Sequence, residues 1–145
     1  MSKIKKIYIL HGPNLNLLGA RETNVYGQMT LDEINNACVK EGEKLGQIID
    51  VMQSNHEGAL VDAIHHARAN HDAIIINPGA YTHTSIAIHD ALLTFDGPII
   101  EVHLSNIHKR EEFRHHSYIS KVATGAIVGL GHQGYILALH ALANR

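Results

Sequence analysis

Glu101 and His103 stand two residues apart in the stretch Pro98 to Asn106, which is otherwise dominated by Ile99, Ile100, Val102 and Leu104. An aliphatic run of this kind predicts a strand buried on both faces, the usual state of a central strand in a parallel sheet. Side chains two apart on a strand share a face, so the carboxylate and the imidazole are neighbours, and Ser105 continues that face. Burying either group is costly unless each satisfies the other, and a carboxylate that orients and charges a histidine makes a general acid. A purely structural pair meets the same requirement, and the two residues alone leave both readings open.

A general acid needs a base to work with. Tyr26 follows Arg21 by five positions in a glycine-flanked polar loop that also holds Gly19, Asn24 and Gly27. A free phenol, with a pKa near about 10, is a poor base at neutral pH, but a nearby guanidinium favours the phenolate. The plainer role for Tyr26 is an amphipathic anchor of the loop. Asn14, Asn77, His83, Asp90 and Arg114 read as substrate-binding groups, although Asn77 before Pro78-Gly79 also suits a turn and His83 also suits a helix cap. Asp90 follows His83 by seven positions, two helical turns, which predicts one shared helix face. Arg110, next to Glu111 and Glu112, reads as part of a solvated helix.

Other chemistries find less support. Cys38 falls on the apolar face of a helix and reads as core, no serine sits in a Gly-x-Ser-x-Gly elbow, and no lysine lies at a strand end where a Schiff base could form. The 13 histidines include no two separated by two, three or four positions, so no single strand or helix presents a pair of metal ligands. Gly129-Leu-Gly-His-Gln-Gly134 matches the dinucleotide fingerprint but lacks the following strand with its acidic residue, so these glycines predict a tight turn and close helix packing. No cofactor is expected.

The 145 residues predict one domain, residues 1–145, with 45% hydrophobic content. A formal charge of −2 without a long basic run gives no electrostatic case for nucleic acid or an anionic membrane, so a small molecule is the expected partner. No stretch is long and apolar enough to span a bilayer, and a single cysteine suits a reducing compartment, which predicts the cytoplasm.

These groups need elements to hold them. Strands are predicted at Ile4 to Leu10, Ile48 to Met52, Ala73 to Ile76, the Glu101 stretch and Ala123 to Val128. Helices are predicted from about residue 31 to 45 behind a Thr30–Glu33 capping box, around Leu60 to Asn70, from Thr84 or Ser85 to Leu93, and from Gln133 to Ala143. Lys109 to His116 reads as a short helical turn. Strict alternation predicts an α/β fold of flavodoxin-like order, a five-stranded parallel sheet with helices on both faces. His11 to Asn14, Ser54 to His56, Asn77 to Thr84 and His103 to Asn106 then all fall at the carboxyl edge, where open α/β sheets bind ligands. A non-catalytic module of the same fold, binding a flavin or a nucleotide phosphate at the first strand-end loop, is the rival reading.

Taken together, Gly12-Pro-Asn-Leu-Asn-Leu-Leu-Gly19, Arg21 to Gly27, Gln53 to Gly58, Asn77 to Ser85, Ile100 to Asn106, Arg110 to Ser117 and Gly129 to Gly131 resemble the type II 3-dehydroquinate dehydratases of the shikimate pathway. The resemblance covers nearly the whole chain. It implies a flavodoxin-like enzyme that converts 3-dehydroquinate to 3-dehydroshikimate with neither metal nor Schiff base. By position, Tyr26 is then the base, Arg21 shares the mobile lid and tunes that base, Asn14 helps stabilise the enolate, and His103, held by Glu101, protonates the departing hydroxyl. Asn77, His83, Ser105, Arg114 and the backbone at Leu104 would hold the substrate. Asp90 would reach a neighbouring subunit's site in a dodecamer of four trimers. The chain departs from many relatives at Thr23, where they have proline, and at His11, where they have asparagine.

Overall fold

Residues 3–20 and 22–145 are described by the structure, a computed structural model. Five strands, β1 (Lys6–His11), β2 (Ile48–Gln53), β3 (Ala73–Asn77), β4 (Ile99–His103) and β5 (Gly125–Val128), form one sheet in the order β2-β1-β3-β4-β5. Every neighbouring pair is parallel, as flavodoxin-like order requires. Both Ala73 to Ile76 of β3 and Ile99 to His103 of β4 are buried along their whole length, which is why they read as continuous apolar runs rather than alternating ones.

Helices follow the strands as the alternation predicts: a short α1 (Thr23–Tyr26), then α2 (Leu31–Lys44), α3 (Glu57–Asn70), α4 (Ile86–Leu93) and α5 (Gln133–Ala143). The Thr30 hydroxyl accepts the Glu33 amide N–H at 3.2 Å while the Glu33 carboxylate accepts the Thr30 N–H at 3.3 Å, the reciprocal box that starts α2. Ser85 starts α4 by accepting the Ile88 N–H at 2.9 Å. Two apolar cores lie on opposite faces of the sheet. One joins Ile7, Ile9, Ile75 and Val102 to α2 and α5 through Cys38, Ala138 and Leu139, and the other joins Leu10, Ile74, Ile76 and Ile99 to α3 and α4 through Leu60, Ile64 and Ile88. The sidedness follows the two-residue period of each strand. Helices cover both faces, as expected.

Some local expectations need correction. The 109–116 segment forms two 3-10 turns, Ile107–Lys109 and Glu112–Arg114, and not one helical turn, because Arg110 between them is extended. His83 closes a separate 3-10 turn, Gly79–His83, and Thr84 and Ser85 intervene before α4, so His83 and Asp90 do not share a helix face despite their spacing. The dinucleotide-like glycines serve the turn from β5 into α5: Gly129 has φ +86°, and a Cβ on Gly134 would stand 3.2 Å from Val102 Cγ1.

Gly12 is where β1 and β3 hand over to their loops. Its N–H donates to the Asn77 carbonyl at 2.7 Å, and a Cβ there would sit only 2.4 Å from the Pro78 carbonyl oxygen. The strand-end loops can therefore approach only because residue 12 has no side chain. Gly12→Ala should lower stability by about 1 to 3 kcal/mol through overpacking, read from denaturant unfolding. An unchanged midpoint would mean that the close approach is not required.

Candidate active site

The pocket opens at the carboxyl edge of the sheet, where strand-end loops meet around a cleft. Asn14, Tyr26, Asn77, His83, His103, Leu104, Ser105 and Arg114 all line it, as does Arg110. Arg21 lies outside the described residues. Glu101 stands behind His103, and Asp90, on the exposed side of α4, is not a lining residue; its carboxylate pairs with His89 Nδ1 at 2.9 Å.

The Glu101 carboxylate is wholly buried and held from several directions. Its Oε2 accepts His103 Nε2–H at 2.6 Å, the Thr82 hydroxyl at 2.6 Å and the Ser117 hydroxyl at 2.9 Å, while Oε1 accepts the Ser120 hydroxyl. Burial by itself would raise this carboxyl, but the bond and charge of His103 and the Ser120 and Thr82 hydroxyls outweigh it and bring the pKa down to about 2. Glu101 is thus an anion. An anion there accepts and does not donate, so Nε2 of His103 carries a proton and Nδ1 is the ring nitrogen left for the pocket.

The remaining groups come from loops whose backbone is set locally. Asn14 takes the left-handed conformation, φ 69°, which asparagine tolerates better than most residues, and its N–H donates to Asn55 Oδ1 at 3.0 Å. His83 Nδ1 donates to the His116 carbonyl at 2.7 Å, which leaves Nε2 as the free ring nitrogen. Burial is the main force lowering the His83 pKa, with the charges of His103 and Arg114 acting the same way against the raising effect of the His116 bond, so this ring favours its neutral form. Arg114 is braced by Glu111 at 2.9 Å through Nε. Asn77 ends β3, nearly buried, with Oδ1 accepting the Gly79 N–H at 3.1 Å.

Arg110 was read from the sequence as a solvated cation, and the structure corrects that. Its guanidinium lies over the Tyr26 ring, 5.3 Å from the centroid, and Nη1 donates to Ser105 Oγ at 3.4 Å. The available signal was its position five residues after Ser105 on the loop leaving β4, against which the adjacent Glu111 and Glu112 argued misleadingly. Thr82 and Ser117 fall within stretches the sequence singles out but with no role of their own, and Ser120 falls within none of them.

A parallel flavodoxin-like sheet whose carboxyl edge gathers a carboxylate-held histidine, a tyrosine under a guanidinium and a ring of hydrogen-bonding groups defines an α/β protein equipped for acid–base chemistry on a small polar molecule. Residues 5–143 match the family described as Dehydroquinase class II, and the chain belongs to that family. It is 59% identical over 137 residues to a 3-dehydroquinate dehydratase of Ruegeria pomeroyi, covering 94% of this chain and 92% of the relative. A catabolic 3-dehydroquinase of Emericella nidulans is 57% identical over 139 residues, covering 96% and 91%. The crystal structure of the type II dehydroquinase from Propionibacterium acnes superposes with a TM-score of 0.95 at 46% identity, covering 97% of each chain.

A depressed carboxyl pKa has a thermodynamic signature. Glu101 contributes stability that is fully present above the ordinary value of 4.5 and is lost as pH falls through about 2. Glu101→Gln lacks this ionisation, so the stability difference between the native protein and the variant, from urea unfolding, should shrink as pH falls across that window. A difference that stays constant would contradict an ionised, hydrogen-bonded Glu101.

Proposed function

We propose that this hydro-lyase removes water from 3-dehydroquinate to give 3-dehydroshikimate, and that it does so through an enolate with neither metal nor Schiff base. Tyr26, as phenolate, takes the proton beside the ketone; the C–H electrons form the enolate and the ketone oxygen becomes anionic. Asn14 stabilises that oxygen. The enolate then collapses, the ketone re-forms, and the bond to the hydroxyl breaks as a His103 imidazolium, its Nε2–H held by Glu101, gives the hydroxyl its Nδ1 proton, so that water leaves and a neutral imidazole remains. Tyr26 finishes with one proton more and His103 with one fewer, and returning that proton completes the cycle. Both transfers occur inside the pocket, where charges interact more strongly than in water.

The observation that carries this reading is the pair at the pocket floor, His103 bonded to an anionic Glu101 at 2.6 Å with its other nitrogen left for a ligand. The Arg110 guanidinium over the Tyr26 ring supports the base assignment, since it supplies positive charge where phenolate charge would develop. Arg21 enters through the family resemblance alone, as a lid residue that tunes Tyr26. Asn77, His83, Ser105, Arg114 and the Leu104 backbone hold the substrate's hydroxyls and carboxylate, supported by their shared place around the pocket. Among the described residues no group of three or more His, Cys, Asp and Glu side chains is arranged to hold a metal, and no lysine lines the pocket. We further take the assembly to be a dodecamer of four trimers in the cytoplasm, with Asp90 reaching a neighbour's site from the exposed side of α4 and with the shikimate pathway as the setting. Among the described residues no helix is long and apolar enough to cross a membrane.

The test is an absorbance assay for the conjugated enone that dehydration creates. The native protein should generate it from 3-dehydroquinate, with the rate unchanged by chelators. Tyr26→Phe should abolish turnover while substrate still binds, and His103→Ala should lower kcat by about a hundredfold to ten-thousandfold with a smaller effect on KM. No enone from the native protein, near-normal turnover in Tyr26→Phe, or a chelated enzyme restored by zinc would each contradict the mechanism.

A further inference from the structure

His11 and Tyr135 take no part in the chemistry above, yet they form a buried polar chain that ends in the pocket. His11 closes β1 and Asn77 closes β3, and the two are paired in register across the parallel ladder. Both side chains point to the sheet face covered by α2 and α5, the face shared by Ile7, Ile9 and Ile75. There they meet Tyr135 of α5, which has no exposed surface. Asn77 Nδ2 donates to the Tyr135 hydroxyl at 3.1 Å, the hydroxyl lies 3.1 Å from His11 Nδ1, and His11 Nε2 lies 2.8 Å from Asn35 Oδ1 on α2.

Only one direction of hydrogen bonding satisfies every member. The Gly79 N–H must be accepted by Asn77 Oδ1, at 3.1 Å, which identifies the other end of the carboxamide as the NH2 group. That NH2 donates to the Tyr135 oxygen, so the tyrosine proton goes to His11 Nδ1. Nδ1 is then an acceptor, and the ring proton lies on Nε2, where the Asn35 carbonyl accepts it. Burial acts in the same sense, lowering the His11 pKa to about 4 against the raising effect of Asn35, and raising the Tyr135 pKa, so both side chains stay neutral. One hydrogen of the Asn77 NH2 is committed to Tyr135, and the other is left for the pocket that Asn77 lines.

We propose that His11 and Tyr135 are positioning residues for the reaction: their one-way hydrogen-bond chain from Asn35 fixes the Asn77 carboxamide so that its NH2 group, and not its carbonyl, faces a substrate oxygen. This rests on the reading that Asn77 holds substrate. Gly79 holds the carbonyl end and Tyr135 the NH2 end; without the chain only the Gly79 bond resists rotation of the carboxamide, and a rotated group would present an acceptor to a substrate carboxylate, which has no hydrogen to give it. The imidazole at position 11, where the resemblance leads one to expect asparagine, is what supplies an acceptor for Tyr135 and a donor for Asn35 from one side chain.

The test combines kinetics with a readout that does not depend on turnover. Tyr135→Phe removes a single oxygen from a fully buried ring, and His11→Gln keeps an acceptor and a donor that His11→Leu lacks. The side-chain amide resonances of Asn77, assigned by 15N NMR through their loss in Asn77→Asp, should shift in Tyr135→Phe and in His11→Leu and stay closer to native in His11→Gln. In the enone assay Tyr135→Phe and His11→Leu should raise KM by about three- to tenfold, the worth of one neutral hydrogen bond, with kcat changed less, and His11→Gln should recover part of that loss. Unmoved Asn77 resonances in Tyr135→Phe, or a fall in rate that only tracks the folded fraction with KM unchanged, would overturn the proposal. Failure of the native protein to make the enone would instead count against the dehydratase reading, and the resonances would still decide whether the chain orients Asn77.

Discussion

The structure depends on keeping one carboxylate ionised where no water reaches it. Glu101 sits midway along β4 with no exposed surface, and burial alone would neutralise it. Its charge survives because His103 of the same strand, Thr82 of the 3-10 turn after β3, and Ser117 and Ser120 of the segment before β5 all direct hydrogens at it. Meeting those donors draws in parts of the chain up to 19 residues away from Glu101 on either side, so the loops that wall the pocket are tied to the carboxylate that holds its histidine. Structural pair and catalytic pair, which read as alternatives in the sequence, do not exclude each other in this geometry. The carboxylate organises the loops and at the same time dictates which nitrogen of His103 meets the ligand.

Strand parity divides the labour between the two faces of the sheet. Ile99, Glu101 and His103 alternate with Ile100 and Val102 along β4, so the Glu101–His103 pair lies on one side while the α2 and α5 core packs on the other. The ends of β1 and β3 have the opposite sidedness, and His11 and Asn77 are therefore joined through Tyr135 on the α5 side. The pocket is thus supported from both faces by buried polar groups hydrogen-bonded to one another, which holds their polar atoms in fixed orientations. Gly12, pressed against the Pro78 carbonyl, lets the two strand ends come close enough for that arrangement.

What could be read from the sequence was what depends on local period and local chemistry. Continuous aliphatic runs gave the buried strands, the Thr30–Glu33 box gave the start of α2, and the two-residue spacing of Glu101 and His103 gave their contact. Asn14, Asn77, His83 and Ser105 could be anticipated at the pocket because parallel α/β order sends every strand end to one edge. Tyr26 and Arg114, farther along the chain from those strand ends, were suggested by residue type and by the family resemblance. What escaped was set by distant closure. Tyr135 lies 124 positions from His11, and no local pattern marks an interior tyrosine as the partner of a histidine rather than as simple core. Arg110 was obscured by its acidic neighbours, since only the extended backbone between two 3-10 turns swings it over Tyr26. The supposed shared face of His83 and Asp90 failed because spacing implies a face only inside an unbroken helix, and Ser85 starts a new one.

The protonation state of the Glu101–His103 pair is the claim on which the account turns, and long-range 15N–1H NMR of the His103 ring at neutral pH reads it directly. The account predicts a proton on Nε2, strongly deshielded by a carboxylate acceptor, with the resonance of Nδ1 responding when a carboxylate-bearing substrate analogue fills the pocket. An Nε2 that carries no proton, accepting instead from a neutral Glu101 carboxyl, would contradict it.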